Sequence, residues 1–511
     1  MSSTVKKRKI APISFSEKVA KKASLDNDGW NRIFHNPKLL LIALIAFRAV
    51  NACCIQTSYV PDEYWQSLEV AHYHTFGYPR TFLNIDQGFI MIYSPRLLQS
   101  IFAAVGDLHI YKLAEIFFDN SAARWTLCCS LISWFNFYCI TRTLTNSLET
   151  IITIIGFCYW PWPWKNDKES PSCKIALSFA AIAFIVRPTS AIIWLPLCIW
   201  HMIWHAKNIS KFLIVDVIPI ASIFLCLSLI IDYIFYKQLV FVQYNFLYYN
   251  VFQNIGKFYG SNPWHWYFSQ GFFVVVGTLT IPFIGGVLKS GVRQRFLIWI
   301  ILWDILIHSC LSHKEFRFIL SILPFVLCFC GSYLSIMWKV KDATVTRNRH
   351  SFWWFFTFLL TTNIAAAAYT SRIHQKGTID AIHHIRSIGE RHNTDRFSVM
   401  FLMPCHSTPF YCYIHKKIEL SFLTCLPSNR PGYIDEADRF FLEPTSWLNR
   451  KFNSPDTNNV VPPNCLVFFD NLVTVIQTFL DKYHYKKNKS FFHTHFPEGR
   501  VGSNVIIHCL E

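Results

Sequence analysis

Long apolar runs, separated by short polar segments, make up most of the first 370 residues of this 511-residue chain. A helix needs about 20 consecutive, mostly apolar residues to cross the hydrocarbon core of a bilayer. Since neighbouring runs could merge or split, we expect roughly eight to eleven transmembrane helices. The candidate spans are residues 39–57, 88–105, 125–141, 149–164, 174–204, 211–236, 271–289, 296–311, 317–338 and 351–370. The pattern therefore predicts a polytopic α-helical membrane protein.

The pattern changes after about residue 372. Prolines now separate short apolar segments such as Val467–Asp470 and Val505–His508, which is typical of a small soluble domain of mixed α/β type. The predicted organisation has three parts: a basic cytosolic N-terminal segment at 1–37, a multi-span membrane domain at 38–371 with a lumenal loop at 57–87, and a lumenal C-terminal domain at 372–511.

Composition agrees with a membrane location, since 52% of the residues are hydrophobic and only 15% are charged. The net charge of +17 could suggest a nucleic-acid partner. However, the aromatic residues lie in the apolar runs, and no helix-turn-helix or zinc-finger spacing occurs, so we expect no nucleic acid. Residues 1–30 hold seven Lys or Arg and three acidic residues, which favours a cytosolic amino terminus and puts the first long loop on the opposite side of the membrane.

Seventeen cysteines are present, and twelve of them lie in or beside apolar runs, where a free thiol behaves as a small hydrophobic group. The C-terminal region holds the other five. In an oxidising compartment this odd number predicts one or two disulfides and one free thiol, without fixing the pairing. Asn488-Lys489-Ser490 is a glycosylation sequon, which would suit a lumenal C-terminal domain.

Histidine spacing gives little support for a metal. His201 and His205 are four residues apart, but Met202 occupies the position where a zinc-protease helix carries glutamate. We therefore interpret them as an interfacial pair and expect no metal site.

Adjacent carboxylates follow the first apolar run, within the segment Val60–Glu69. Pro61 suits the first position of a helix, so Asp62 and Glu63 are predicted to lie in its first turn, where the helix dipole favours anions. They could be ordinary first-turn acids. However, at the spacing of an α-helix the polar residues Asp62, Gln66 and Glu69 form one stripe along the helix. We expect this stripe to face water or a cavity.

A second polar cluster, Ser312–Phe318, interrupts an otherwise apolar stretch at 296–338. It could be a short loop in which Lys314 and Arg317 reach the lipid headgroups. Charged residues within or at the edge of a membrane-spanning stretch nevertheless indicate a candidate functional site. His313 and Arg317, four residues apart, would share a helical face and could present a cationic surface to a phosphate.

Two arginines lie within apolar runs. Arg48 is expected to have a structural partner inside the protein. For Arg187, in the segment Arg187-Pro188-Thr189, the required anion could belong to the protein or to a ligand.

Several of these segments resemble glycosyltransferase family 22, whose members are lipid-dependent mannosyltransferases of GPI-anchor and N-glycan assembly. The resemblance extends over nearly the whole chain. It depends on Val60–Glu69, Thr141–Asn146, Arg187–Thr189, Phe258–Gly271, Ser312–Phe318 and Met403–Pro409. Trp264–Trp266 and Cys405–Ser407 resemble in particular the branch that adds the third mannose of the GPI anchor.

The resemblance implies the GT-C glycosyltransferase fold and a multi-pass protein of the endoplasmic-reticulum membrane with a lumenal active site. It implies transfer of mannose from dolichyl-phosphate-mannose, through an α-1,2 bond, to the second mannose of the GPI precursor glycolipid. The lipid-linked donor is a co-substrate, and neither a metal nor another cofactor is implied.

A lipid phosphate is already a competent leaving group, so this reaction needs one base for the acceptor hydroxyl and cations for the departing charge. A β-linked donor and an α-linked product imply inversion by single displacement. We hypothesise that Asp62 is the base, with Glu63 as its closest competitor. The candidates for binding the donor phosphate are His313, Lys314, Arg317 and Arg187.

Other functions stay open at this point. A sister enzyme acting on the N-glycan precursor is the close alternative. A transporter or flippase would also bury arginine and glutamate, although no inverted repeat is evident. An inactive isoform or membrane scaffold is a further alternative, because family members carry an extra hydrophobic span where only Pro79–Tyr93 intervenes here. Loss of one span would invert every later loop unless another segment compensates.

Overall fold

The computed structural model describes residues 33–34, 36–76, 88–164, 173–204, 208–339, 347–391, 397–416, 418–428, 430, 432–453 and 461–510. Three of the features discussed above lie wholly or mostly outside these residues, namely the basic N-terminal segment, His205 and most of the shortened stretch Pro79–Tyr93.

Helices account for nearly all of the membrane domain. Its α-helices are Pro37–Cys54, Glu69–Phe76, Gly88–Phe117, Asn120–Ile132, Trp134–Cys139, Thr145–Tyr159, Cys173–Val186, Ala191–Trp204, Ile209–Lys211, Ile218–Tyr236, Val242–Leu247, Phe272–Val276, Thr280–Leu288, Val292–Cys310, Leu323–Lys339 and Arg347–Arg372. Wider π-helical turns occur at Tyr64–Leu68, Phe212–Val217, Tyr248–Phe252 and Tyr267–Gly271. Tighter 3₁₀ turns occur at Pro188–Ser190, Ile255–Tyr259, Gly277–Leu279 and Phe316–Ile322.

Among the described residues, five helical stretches are long and apolar enough to cross a membrane. They are Pro37–Cys54, Ile209–Tyr236, Tyr267–Leu288, Phe316–Lys339 and His350–Arg391. Two shorter apolar helices, Cys173–Val186 and Pro188–Trp204, accompany them. This agrees with a multi-pass membrane protein, while the expected total of eight to eleven spans stays a prediction.

The most buried of these stretches, Phe316–Lys339, lies at the centre of the helical domain. Close contacts at glycine explain how its neighbours approach it. A Cβ atom at Gly331 would overlap the backbone of Thr126, and one at Gly286 would overlap the carbonyl group of Phe329. Small residues at such crossings let helix backbones come together and gain packing contacts in lipid.

Arg48 has the structural partner that the sequence predicted. Its guanidinium makes two contacts with the Asp107 carboxylate, at 2.6 and 2.8 Å, and donates to Asn51 Oδ1 at 3.0 Å. Arg48 and Asp107 are fully buried. The pair joins helices Pro37–Cys54 and Gly88–Phe117, and it leaves Arg48 no role in binding a ligand.

The C-terminal domain is a five-stranded mixed sheet covered by helices, as the alternation of short apolar segments predicted. Its strands are β1 Ser398–Leu402, β2 Glu419–Phe422, β3 Cys465–Phe469, β4 Tyr485–Phe492 and β5 Asn504–Leu510. The strand order is β2-β1-β3-β5-β4, with β1 parallel to β2 and β3, and β5 antiparallel to β3 and β4. The helices of this domain are Gly377–Arg391, Tyr411–Ile414, Glu436–Leu442, Pro444–Asn453 and Val473–Lys482.

Alternate residues of the strands face two separate cores. Val399 and Phe401 pack with helix Gly377–Arg391 on one face, whereas Met400 and Leu402 pack with Val473–Lys482 on the other. The first core also contains Tyr64, which follows the acidic pair of the membrane domain. The sheet therefore packs directly on the segment that carries the candidate catalytic residues.

The C-terminal cysteines confirm the predicted mixture of bridges and a free thiol. Cys405 bonds to Cys425 and Cys465 bonds to Cys509, while Cys412 is free and buried.

Candidate active site

Glu63 occupies a fully buried double ion pair. One carboxylate oxygen lies 2.7 Å from Arg96 Nη2, and the other lies 2.6 Å from Arg142 Nη1. Glu63 and Arg142 are completely buried, and Arg96 is nearly so. Because both oxygens of Glu63 are committed to guanidinium groups away from solvent, the geometry gives this residue a structural role and weakens it as the competing base.

The same arginines also fix the loop that precedes the acidic pair. Arg96 donates to the carbonyl oxygen of Ile55 at 2.9 Å, and Arg142 donates to that of Thr57 at 2.8 Å. The backbone of this loop also pairs with the chain that enters the C-terminal domain, through Ser58 N–H and the carbonyl group of Gln375 at 3.0 Å. The backbone that carries Asp62 is thus held from both domains.

The helix after Pro61 begins as predicted, but its register changes. Residues Tyr64–Leu68 form a π-helical turn, which is wider than an α-helical one. The expected polar stripe is consequently wrong at Glu69. This carboxylate is buried and accepts hydrogen bonds from the backbone N–H groups of Phe410 and Cys412. Glu69 therefore attaches the C-terminal domain instead of facing a cavity.

Asp62 points away from this buried network and is 30% exposed. Its Oδ2 lies 2.6 Å from Arg317 Nη2, although the two residues are 255 positions apart. Arg317 also makes two contacts with Glu315, at 2.7 and 2.8 Å. Arg317 therefore lies between two carboxylates, and the two polar clusters identified in the sequence meet at this guanidinium.

His313 joins the cluster from the other side of Glu315. Its Nε2 lies 3.0 Å from Glu315 Oε1, and its Nδ1 lies 3.1 Å from the carbonyl oxygen of Gly260. Both neighbours are acceptors, so only the doubly protonated ring satisfies both contacts. The hydrogen bond to Glu315 accordingly raises the pKa of His313. Although burial opposes it, hydrogen bonding to His313 and Arg317 lowers the pKa of Glu315 to about 2.

The predicted helical face shared by His313 and Arg317 is wrong, because the 3₁₀ turn begins only at Phe316. Glu315 brings these two cations together instead. Lys314 is directed elsewhere, since its ammonium group donates to the carbonyl oxygens of Asn262 and Leu311. In the structure Lys314 therefore stabilises the adjoining loop, and nothing places it beside Asp62.

Arg187 lies next to this cluster. Its guanidinium carbon is 5.2 Å from the ring centre of Phe318, and that of Arg317 is 5.6 Å from the same ring. The anion that Arg187 requires is supplied by the protein, since Glu149 Oε2 lies 3.3 Å from its Nε. Asn146 connects the two arginines by accepting from Arg187 and donating to the carbonyl group of Arg317.

Sequence reasoning missed several residues of this site. The sequence pattern indicates Glu315 only as part of a charged cluster, and it assigns no role to Arg96, Arg142, Asn146 or Glu149. The motif Thr141–Asn146 was the available signal, since it supplies both an ion-pair partner of Glu63 and the amide that links the arginines.

One group of potential metal ligands occurs among the described residues, at Cys405, His406 and Cys425. The two cysteines are joined in a disulfide, which removes both thiolate ligands. This group therefore does not fit a metal ion.

Comparison with known proteins identifies the family of this chain. The model of the Alg9-like mannosyltransferase family matches residues 39–82 and 80–415. The chain belongs to this family. The two matched parts meet at residues 80–82, in the stretch that the sequence indicated to be shortened. As a member of the Alg9-like mannosyltransferase family, the chain is a glycosyltransferase, as predicted.

Relatives within this family match over nearly the full length. GPI alpha-1,2-mannosyltransferase 3 of Homo sapiens is 41% identical over 92% of this chain and 86% of its own length. Mannosyltransferase APTG1 of Arabidopsis thaliana is 38% identical over 93% of both chains. GPI mannosyltransferase 3 of Yarrowia lipolytica is 30% identical over 92% of this chain and 97% of its own length.

Among solved structures, ArnT from Cupriavidus metallidurans bound to undecaprenyl phosphate is similar, with a TM-score of 0.51 at 9% identity. The match covers 94% of this chain and 98% of ArnT. The likeness confirms the GT-C fold that the family resemblance implied.

The different environments of the two acids give a first prediction for this mannosyltransferase. Replacing Glu63 by Ala would leave two buried guanidinium groups without a counter-ion, and breaking a buried pair in this way costs about 3–5 kcal/mol. Asp62→Asn removes a charge that is partly exposed and should have a much smaller effect. Thermal unfolding of both variants in detergent measures the difference. Equal stability of the two variants would contradict the structural role of Glu63.

The protonation of His313 gives a second prediction. A raised pKa in the folded state means that its interactions stabilise the protein fully below the unfolded pKa and are lost as the pH rises through the folded pKa. The stability difference between wild type and His313→Gln should therefore be largest near pH ~6 and shrink towards pH ~9. Glu315 should stay ionised throughout this range. His484→Gln, at an exposed position, is the control in thermal unfolding measured against pH, and a difference that grows with pH would contradict the assignment.

Proposed function

We propose that this mannosyltransferase transfers mannose from dolichyl-phosphate-mannose to the second mannose of the GPI precursor glycolipid, through an α-1,2 bond, in the lumen of the endoplasmic reticulum. The observation that carries the proposal is the contact between Asp62 and Arg317. It puts an accessible carboxylate, which could accept a proton, beside a guanidinium group, which could receive a departing phosphate.

The printed names of the relatives support the acceptor. The human and Yarrowia lipolytica proteins are both named as GPI mannosyltransferases 3, and the human name specifies an alpha-1,2 bond. The structural neighbour ArnT was solved with undecaprenyl phosphate, which is a polyprenyl phosphate. A bound lipid phosphate of this kind supports dolichyl-phosphate-mannose as the donor.

The proposed reaction is one displacement. The acceptor hydroxyl oxygen attacks the anomeric carbon of the donor mannose, and its proton passes to Asp62. The bond between the anomeric carbon and the phosphate oxygen breaks, and the electron pair leaves with dolichyl phosphate. One C–O bond forms and one breaks, so the step balances without a further reactant.

The charges around Arg317 suit this sequence of events. With His313 protonated, the negative charges of Asp62 and Glu315 balance the positive charges of Arg317 and His313. When Asp62 takes up the acceptor proton it loses its negative charge, and the cluster gains one net positive charge. That charge appears as the leaving phosphate becomes more negative, so proton transfer and stabilisation of the leaving group reinforce each other.

The proposed phosphate-binding residues then differ in their roles. Arg317 and His313 are the cations closest to Asp62 in the chain of contacts described above. Arg187 is a further candidate because it shares the Phe318 ring with Arg317. Lys314 would support the site through the loop at Asn262.

A lumenal location of the C-terminal domain is supported by its two disulfides, since such bonds persist in oxidising compartments. The basic N-terminal segment points to the same orientation.

Loss of the Asp62 carboxylate should abolish transfer. General base catalysis contributes roughly 100- to 10,000-fold, so Asp62→Asn should reduce mannosyl transfer by at least about 100-fold. The assay uses microsomes, radiolabelled dolichyl-phosphate-mannose and a GPI precursor that ends in its second mannose. Gln66→Ala, at an exposed position on the same segment, is the control and should keep wild-type activity. Transfer by Asp62→Asn at the wild-type rate would remove Asp62 from the role of base.

The same assay separates the acceptor from its close alternative. In cells without the protein, a GPI precursor with two mannoses should accumulate. Accumulation of a truncated N-glycan precursor instead would favour the sister activity.

The proposed lumenal location of the C-terminal domain gives a further prediction for the glycosylation sequon Asn488-Lys489-Ser490. Asn488 is exposed on strand β4, and its Oδ1 accepts a hydrogen bond from His384. A glycan attached through Nδ2 would leave that contact in place, so we expect the site to be modified in a lumenal domain. Endoglycosidase treatment should increase electrophoretic mobility for wild type but not for Asn488→Gln or Ser490→Ala. A wild-type chain that does not respond to the enzyme would contradict the prediction.

A further inference from the structure

Three aromatic rings of the acidic segment and the C-terminal domain form a continuous surface. The ring centre of Trp65 lies 4.5 Å from that of His406 and 5.0 Å from that of Phe422, and His406 lies 5.4 Å from Phe422. All three side chains are partly exposed, whereas Phe410 behind them is buried. We call Trp65, His406 and Phe422 the aromatic wall.

The aromatic wall is held rigidly. The indole N–H of Trp65 donates to the carbonyl oxygen of Thr408 at 2.9 Å. The disulfide between Cys405 and Cys425 ties the loop before His406 to the segment that follows strand β2, the strand that ends at Phe422. His406 itself has a φ of 63°, a left-handed conformation that is costly for a residue with a Cβ atom. The surrounding contacts therefore determine where its ring lies.

The wall is next to the proposed base. Trp65 follows Asp62 by three residues, and the Asp62 carboxylate acts electrostatically on the His406 ring. Burial lowers the pKa of His406 in spite of this carboxylate, so the ring is neutral at neutral pH. A neutral imidazole offers one donor and one acceptor. Among the described residues the His406 ring has aromatic neighbours but no hydrogen-bond partner, so both nitrogens are available to a ligand.

The chemistry of the wall suits a sugar better than a phosphate. It carries no formal charge, it combines apolar faces with a polar edge, and such surfaces bind ligands that have both characters. The cations suited to a phosphate belong instead to the segment Ser312–Phe318 at the boundary of a membrane-length helix. Since the donor phosphate is attached to a lipid, we assign the donor to the segment Ser312–Phe318 and the acceptor glycan to the aromatic wall.

We propose that the terminal mannose of the acceptor lies against the aromatic wall and that His406 hydrogen-bonds to its hydroxyl groups, so that the C-terminal domain supplies part of the acceptor site. This inference depends on the proposed function and names the residues that recognise its acceptor. Phe410, by contrast, only packs the two domains together.

Steady-state kinetics of the full chain in detergent tests the proposal, with dolichyl-phosphate-mannose and a synthetic acceptor that ends in α-linked mannose. A neutral hydrogen bond contributes about 0.5–1.5 kcal/mol, so His406→Ala should raise the acceptor KM by up to about 10-fold. The donor KM should not change. His406→Asn should restore part of the affinity, because asparagine tolerates a left-handed backbone and keeps a donor and an acceptor.

His484→Ala is the matched control, because His484 also has a left-handed φ, of 59°, but is exposed beside β4, at the opposite edge of the sheet from β2. It should leave both KM values unchanged. Trp65→Phe, which keeps an aromatic face but loses the N–H group, provides a second variant if His406→Ala unfolds, and it should raise only the acceptor KM.

The outcomes separate this inference from the proposed function. An unchanged acceptor KM in His406→Ala, together with normal transfer by wild type, would overturn the inference alone. Parallel increases in donor and acceptor KM, or no rescue by His406→Asn, would assign the wall to domain packing and would also overturn it. Absence of any transfer by wild type would overturn the proposed function, and the inference with it.

Discussion

The buried carboxylate of Glu63 is the interaction on which the rest of this site depends. It neutralises two guanidinium groups, that of Arg96 in helix Gly88–Phe117 and that of Arg142 in the turn before helix Thr145–Tyr159. Each of these groups also holds a backbone carbonyl of the loop before Asp62. The excess positive charge is spread over those carbonyls and over the ring of Tyr138, which lies 4.3 Å from Arg142. Desolvating three charges is costly, and only this complete set of partners offsets the cost. The exposed neighbour, Asp62, therefore lies on a rigid backbone that it does not itself have to stabilise.

The C-terminal domain is part of this arrangement. Its sheet shares a hydrophobic core with Tyr64, and its backbone N–H groups bind Glu69. Three successive acids of one segment thus have three different tasks: Asp62 faces the cation cluster, Glu63 neutralises two buried arginines, and Glu69 joins the two domains. A soluble domain that was attached only by a flexible linker could not contribute side chains to a site at the membrane boundary, whereas this one can.

Sequence reasoning recovered the features that are encoded locally. Apolar runs predict the membrane helices, proline-punctuated segments predict the mixed sheet, and the odd number of C-terminal cysteines predicts one or two bridges with a free thiol. The position of Asp62 after Pro61 was also recognisable. The contact between Asp62 and Arg317 was not predicted, because the pair is 255 residues apart and no local pattern encodes it.

The errors have physical causes of the same kind. The π-helical turn at Tyr64–Leu68 changes which side chains share a face, so the α-helical spacing assigned Glu69 to the wrong surface. Glu63 differs in role from the adjacent Asp62 because it pairs with Arg96 and Arg142, which lie 33 and 79 residues away from it in the sequence. Likewise, His313 and Arg317 converge through Glu315 and not through a helical face. Burial and pairing at long range decided each of these cases.

The strand order has a consequence for biogenesis. Strand β5, residues Asn504–Leu510, lies between β3 and β4, so a ribosome must have passed residue 510 before the interior of the sheet can close. Until then β3 exposes an unpaired edge. The loop around His406 emerges about a hundred residues earlier and has to wait for that closure. Assembly of the C-terminal domain is therefore a late event, and a nonsense mutation anywhere upstream of Asn504 would remove a central strand and not a dispensable tail.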